Sequence, residues 1–185
     1  MRKNFGPRPL IYPMPVLIIG SYDKDGTPNA MNAAWGGISE LSEISICVGD
    51  NHKTTENILA RKAFTVSIAD VDNLIAADYV GIVSANNVPD KIAKAGWHTS
   101  KSDLVDAPIF DEIPFVLECK LKSYDAESCR LVGEIVNVSA DESILTGNKV
   151  DLKKFRPITY DPANHDYVAL GETVGKAFSD GKNIK

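Results

Sequence analysis

Val16, Leu17, Ile18 and Ile19 follow one another and run into Gly20-Ser21-Tyr22, so apolar side chains fall on both faces of one extended segment. That is the pattern of a strand with little solvent exposure. Asp23-Lys24-Asp25-Gly26 reads as a turn, with Gly26 free to adopt positive φ. A second strand is predicted over residues 29–35, ending at Gly36-Gly37, and a third over 44–48, where Ile44, Ile46 and Val48 share a face. Residues 54–62 read as a helix: Thr54 is its predicted N-cap, Glu56 lies in the first turn, and Arg61 and Lys62 lie in the last. Phe64-Thr65-Val66-Ser67-Ile68 alternates as a half-buried strand.

A second helix is expected over residues 73–82, with Ile75, Tyr79 and Ile82 on one side. Residues 84–111 are irregular and polar apart from a helical turn at 91–95, and a loop of that length is more often functional than idle. Residues 115–124 and 129–139 form a predicted hairpin around Asp125-Ala126-Glu127-Ser128. In its first arm Leu117, Cys119 and Leu121 face inward, and Glu118, Lys120 and Lys122 outward. Short strands are expected at 157–160 and 167–170, followed by a glycine-rich, mobile tail from Gly171. Strands dominate, few helices are inserted, and turn signals recur at short intervals. The expected fold class is mainly β: an antiparallel barrel, closed or nearly closed, with a few inserted helices. No repeat or linker divides residues 1–185, so one domain is expected.

Composition narrows the function classes. The chain has 185 residues, 44% hydrophobic and 24% charged, an ordinary globular balance. At that length folding buries roughly 70% of the unfolded surface, enough to dispense with structural cross-links. Lys+Arg is 20 against Asp+Glu 25, a net charge of -5 that argues against a nucleic-acid partner. The longest apolar run, residues 16–19, is far short of the roughly 20 that span a bilayer, so no membrane partner is expected. Cys47, Cys119 and Cys129 have no CxxC spacing and read as buried free thiols in a reducing cytoplasm.

Familiar catalytic motifs are missing. His52, His98 and His165 are widely spread and make no metal-ligand spacing, so no metal site is expected. There is no GxGxxG or GxSxG, and Gly171-Glu172-Thr173-Val174-Gly175-Lys176 is one residue short of a P-loop, with Ala177 in place of the Ser/Thr.

Three features can carry chemistry. In Asn29-Ala30-Met31-Asn32-Ala33-Ala34-Trp35-Gly36-Gly37 the small residues admit a flat ligand close to the backbone. Asn29 and Asn32 both donate and accept hydrogen bonds, and Trp35 offers an aromatic wall. Taken alone, the same stretch reads better as a core tryptophan followed by a β-bulge. Lys53, Thr54 and Thr55 precede or open a helix, where free N–H groups and the dipole favour a phosphate; ordinary capping by Thr54 is the alternative. Lys91 could reach a phosphate or a ring carbonyl, or simply lie in solvent.

Taken in order, Tyr22-Asp23-Lys24-Asp25-Gly26, Pro28-Asn29, Ala33-Ala34-Trp35-Gly36-Gly37, Thr54, Asn57-Ile58 and Lys62-Ala63-Phe64-Thr65-Val66 resemble the flavin reductase-like, FMN-binding split-barrel family, and its flavoredoxin branch most closely. The resemblance continues through Ala77-Asp78-Tyr79-Val80-Gly81-Ile82-Val83-Ser84 and Lys91. It extends over Ser102-Asp103-Leu104-Val105-Asp106-Ala107-Pro108, Leu117-Glu118-Cys119, Gly133-Glu134-Ile135, Arg156-Pro157-Ile158 and Gly175-Lys176-Ala177-Phe178-Ser179, almost the whole chain. It implies a homodimer of split β-barrels holding FMN near the subunit interface. Asn29 and the backbone of Met31, Asn32, Ala33 and Ala34 would line the isoalloxazine, with Trp35 beside it. Lys53, Thr54 and Thr55 would hold the phosphate, Lys91 would support ring or phosphate, and Tyr160 would be an aromatic neighbour. Two departures stand out. The family often has an arginine where this chain has Asp50-Asn51-His52, and a histidine of some relatives is missing from Ser128-Cys129-Arg130.

The implied function is FMN-based redox chemistry, with no residue acting as a covalent catalyst. One form is an oxidoreductase that takes electrons from NAD(P)H and passes them to flavin or another acceptor. The other is an electron carrier exchanging electrons with a protein partner. A dimer that has lost FMN and serves as scaffold is the third.

Overall fold

The computed structural model describes residues 1–184. In chain order the elements are β1 (Met14–Pro15), β2 (Leu17–Tyr22), β3 (Pro28–Ala33), β4 (Gly36–Glu40), β5 (Glu43–Cys47), α1 (Lys53–Arg61), β6 (Ala63–Ile68), α2 (Leu74–Ile82) and α3 (Lys91–Lys94). They continue with β7 (Thr99–Lys101), β8 (Pro108–Phe110), β9 (Phe115–Asp125), β10 (Arg130–Ala140), β11 (Leu145–Thr146), β12 (Lys149–Val150), α4 (Leu152–Phe155), β13 (Ile158–Asp161) and β14 (Asp166–Ala169). Among these, no helix is long and apolar enough to cross a membrane.

Seven strands form one antiparallel sheet in the order β3-β2-β6-β9-β10-β5-β4. Its two edges, β3 and β4, are consecutive in the chain and separated only by Ala34 and Trp35. The three Cα–Cα steps from Ala33 to Gly36 span at most about 10–11 Å of extended chain, so the sheet must curl to bring its edges close together. The result is a split barrel.

Val16 and the consecutive apolar residues that open β2 serve two layers. Leu17 and Ile19 enter the barrel core with Ile44, Ile46, Phe64, Val66, Leu117 and Leu131. Val16 and Ile18 point the other way, into a second cluster with Ala30, Ala77, Val80, Ile92, Trp97 and Phe110. Each such side chain contributes about 1.5–3 kcal/mol by leaving water, so the strand anchors both layers. Inside the barrel Phe64 lies so close to Gly133 that a Cβ there would sit 2.3 Å from its ring. Only glycine fits.

Several expectations change at this level. Gly36-Gly37 opens strand β4, which pairs with β5 from Gly36 opposite Ile46. The long polar loop contains the β7–β8 pair, anchored in the second cluster by Phe110, whose ring packs tilted against Trp97 at 5.2 Å between centroids. Helix α1 begins at Lys53 with His52 as its N-cap, so Thr54 is its second residue. On α2, Ala77 and Val80 are buried, while Ile75 and Ile82 are 83% and 75% exposed, because the helix packs its small-residue side on β3. Glu118 is buried: Ser102 Oγ donates to it at 2.5 Å and Asn137 Nδ2 at 2.6 Å. Cys119 is buried as expected and its thiol pKa is pushed up to about 12 by burial, whereas Cys47 is exposed and Cys129 half-buried.

Candidate functional site

Strand β3 pairs with β2 on one flank only, so its other flank carries backbone N–H and C=O groups that no strand satisfies. Helix α2 runs beside this flank. Asn32 Nδ2 donates to Ala77 O at 3.1 Å, and a Cβ at Gly81 would approach Asn32 Cβ to 2.8 Å. The glycine lets helix and strand approach closely while leaving a groove along the strand. The groove consists of three hollows. The first, about 190 Å³, is lined by Asn29, Met31, Asn32, Lys53, Thr54 and Lys91 with residues 80–85. The second, about 360 Å³, lies between Asn32 and Ala34 on one side and Asp78, Tyr160, His165 and Tyr167 on the other. The third, about 370 Å³, is lined by Ala34, Trp35 and Gly36 beneath residues 8–15. Asn32 belongs to the first and second, and Ala34 to the second and third. From Asn29 to Trp35 the groove runs roughly 20 Å at the rise of an extended strand.

The first end is built for an anion. His52 caps α1 in extended conformation without a side-chain hydrogen bond, and the amides of Lys53, Thr54 and Thr55 find no acceptor. Those free amides stand at the positive end of the helix dipole. Thr54 is buried, and its Oγ1 accepts from Asn29 Nδ2 at 2.8 Å, leaving the hydroxyl hydrogen uncommitted. Asn29 Oδ1 is buried with no partner at all, an expensive state unless a ligand donates to it. Lys53 lines the hollow but pairs with Glu56 at 2.8 Å. Thr55 does not line it: its Oγ1 donates to Gly49 O at 2.6 Å and braces the incoming loop.

Lys91 closes this hollow from α3. It is buried, and Nζ donates to Val83 O at 2.8 Å and Val80 O at 3.2 Å, capping the last carbonyls of α2. Burial with no carboxylate partner lowers its pKa to about 8. Two of three ammonium hydrogens are used, and the third is available to an acceptor in the hollow.

The other end is flat and aromatic. Trp35 is half exposed, its ring free and its carbonyl holding Cys47 N at 2.8 Å. Ala34 lies in the groove, but Ala33 turns into the barrel core, as the period-2 alternation of a strand requires. Tyr160 faces the middle hollow with His165, Tyr160 Oη and His165 Nδ1 being 2.7 Å apart. Tyr167 Oη donates to Asp78 Oδ1 at 2.8 Å, and burial followed by the Asp78 carboxylate pushes its pKa up to about 12. Sequence reasoning singled out Tyr160 but missed Asp78, His165 and Tyr167. Asp78 and Tyr167 are 89 positions apart, and their contact depends on the β13–β14 hairpin reaching α2.

The predicted residues thus fall along one groove: Asn29, Met31, Asn32, Lys53, Thr54 and Lys91 at the anion end, Ala34, Trp35 and Tyr160 toward the aromatic end. Residues 10–166 match the family described as flavin reductase like domain. The chain belongs to that family. Its structure is similar to the flavoredoxin of Desulfovibrio vulgaris (Miyazaki F), with 38% identity and a TM-score of 0.93 over 98% of this chain and 100% of that one. A flavoredoxin from Methanosarcina acetivorans is 26% identical with a TM-score of 0.87, over 100% of this chain and 98% of that one. At 19% identity, an FMN-binding protein from Thermus thermophilus solved with bound 1-cyclohex-2-enone shares the fold, with a TM-score of 0.74 over 95% of this chain and 99% of that one. Comparison with curated proteins finds no match. The fold is the split barrel of flavin reductase-like, FMN-binding proteins.

Proposed function

We propose that the groove along β3 holds FMN, its phosphate at the first turn of α1 and its ring system between Asn32 and Trp35. The observation that carries this reading is the order of chemistry along one strand edge: uncommitted amides and a free hydroxyl hydrogen that suit a phosphate at one end, the orphaned acceptor Asn29 Oδ1 beside them that suits a ligand hydroxyl or N–H, and an open indole at the other end. The residues fit the group. Thr54 and the α1 amides supply donors for a phosphate, Lys91 a spare ammonium hydrogen, and the free flank of β3 the donors and acceptors for a heteroaromatic edge. Glu56 draws Lys53 partly away, so the backbone amides and Thr54 carry more of the anion than the lysine does. When bound, FMN supplies two-electron or one-electron transfer at its N5. The chain's own task is to bind and orient it and to hold a positive environment where charge develops.

In the leading form the protein is an NAD(P)H-linked oxidoreductase that passes electrons to a flavin or another small acceptor. A flavoredoxin-type carrier serving a protein partner is the second reading, favoured by the full-length likeness to the 38%-identical flavoredoxin. A homodimer completes the proposal. The arms outside the barrel, residues 1–12 and 171–184, are exposed and display the apolar side chains of Phe5, Val174 and Phe178. The free thiols suit a reducing cytoplasm.

FMN fluorescence titration tests the site: quenching to a stoichiometric end point is expected, and no quenching at saturating protein would overturn it. NADH and NADPH oxidation above the free-flavin background supports the enzyme. Background rates alone favour the carrier.

A further inference from the structure

A further hollow, about 450 Å³, shares no residue with the groove along β3. The turn from β6 into α2, the residues that follow β8 and β10, and the end of α4 meet there. Ile144 and Phe155 are buried and give it an apolar floor. Its walls are acidic. Lys154 is the one cation among the lining residues, and its Nζ is spent on Leu145 O.

Asp70 is the side chain that asks for a ligand. It is only 3% exposed, and no lysine, arginine or histidine among the described residues pairs with it. Its Oδ1 accepts from Asn73 N at 2.8 Å and Asn73 Nδ2 at 3.0 Å, while Oδ2, on the side of the hollow, accepts no hydrogen bond. A buried carboxylate without a counter-charge is costly. Burial accordingly pushes the Asp70 pKa up, against the lowering effect of the Asn73 donors. Asp111 and Asp141 each accept from a serine through Oδ1, from Ser100 Oγ at 2.8 Å and Ser143 N at 2.8 Å, and keep Oδ2 open. Glu112 is different, because His98 N and Nδ1 occupy both of its oxygens at 2.9 and 2.7 Å.

The open carboxylates do not converge on a point. Among the described residues no three acidic, histidine or cysteine side chains are grouped to hold a metal ion. Separated anions around an apolar floor suit an extended cation, whose methylenes lie on the floor while its charged ends reach the walls. We propose that this hollow binds a small aliphatic polyamine, its alkyl chain against Ile144 and Phe155 and its ammonium groups donating to Asp70 Oδ2 and to the open oxygens of Asp111 and Asp141.

Asn73 connects the hollow to a reporter. It holds Asp70 and accepts from Trp97 Nε1 at 3.3 Å, whereas Trp35 stands in the groove. Spermidine titrated at low salt should move the Trp97 indole N–H resonance saturably and leave that of Trp35 in place. Asp70→Asn keeps an acceptor for Asn73 but removes the charge, and should weaken binding about tenfold or more. Asp141→Asn, at an exposed position where folding is not at stake, should weaken it about two- to fivefold. Mg²⁺ at equal concentration should leave most of the spermidine bound. A Trp97 resonance that stays in place, equal shifts of both indoles, unaltered affinity in either variant that melts like wild type, or displacement by Mg²⁺ would overturn the inference. FMN takes no part in this titration, so the outcome is independent of the function proposed above.

Discussion

Asn29 on the edge of the barrel sheet and Thr54 in the first turn of α1 are 25 positions apart in sequence, and their side chains meet at 2.8 Å with the asparagine amide donating to the threonine oxygen. This one contact sets the anion end of the groove. It occupies the Thr54 oxygen as an acceptor, leaves the hydroxyl hydrogen uncommitted, and leaves Asn29 Oδ1 buried without a donor.

Thr54→Ala should therefore weaken FMN far more than riboflavin, which shares the ring but lacks the phosphate. Loss of one charge-assisted hydrogen bond corresponds to roughly 10–100-fold in FMN affinity. Parallel fluorescence titrations check this, and equal losses for both ligands would place the phosphate elsewhere.

Lys91 makes a pH prediction. Its pKa falls from 10.5 in the open chain to about 8 when folded, so between those values the unfolded chain holds a proton that the folded chain has released. Stability contributed at this position rises with pH across that window, and the cost of burying the charge is fully present below about pH 8. Chemical denaturation from pH 7.5 to 10.5 should show wild type gaining about 1–3 kcal/mol relative to Lys91→Met. A flat difference would contradict it.

The two tryptophans should separate binding from folding. Trp97 is buried against Phe110 and its Nε1 donates to Asn73 Oδ1 at 3.3 Å, so Trp97→Ala should cost about 3–5 kcal/mol of stability. Trp35 is half exposed in the groove, so Trp35→Ala should leave the melting temperature nearly unchanged and weaken FMN binding about tenfold or more. Thermal melts and FMN titration of both variants decide. Matching effects on affinity would count against Trp35 as the ring's neighbour.

Gly81→Ala should act through Asn32. The added methyl would meet Asn32 Cβ at 2.8 Å, and relief requires α2 to move away from β3. A stability loss of about 1–3 kcal/mol together with weakened FMN binding is expected; unaltered affinity would show that the α2–β3 spacing does not shape the groove.

Local pattern made much of this legible. The unbroken apolar run of β2 announced a strand buried on both sides, and the long hairpin of β9 and β10 followed from alternation around Asp125 to Ser128. The segment from Asn29 to Trp35 and the start of α1 were visible as candidate ligand contacts. What remained hidden depends on partners distant in sequence. Gly36-Gly37 looks like an end until β5 is alongside, and Glu118 looks solvent-facing until Ser102 and Asn137 close over it. Thr54 reads as its own helix's cap until Asn29 claims its hydroxyl oxygen. The Asp78–Tyr167 contact has no local signature.

A crystal structure of the protein with FMN is the most direct measurement. The phosphate is expected within hydrogen-bonding distance of Thr54 Oγ1 and the first amides of α1, with the ring system lying along β3 toward Trp35. Density for the phosphate away from α1, or for the ring away from β3, would contradict it.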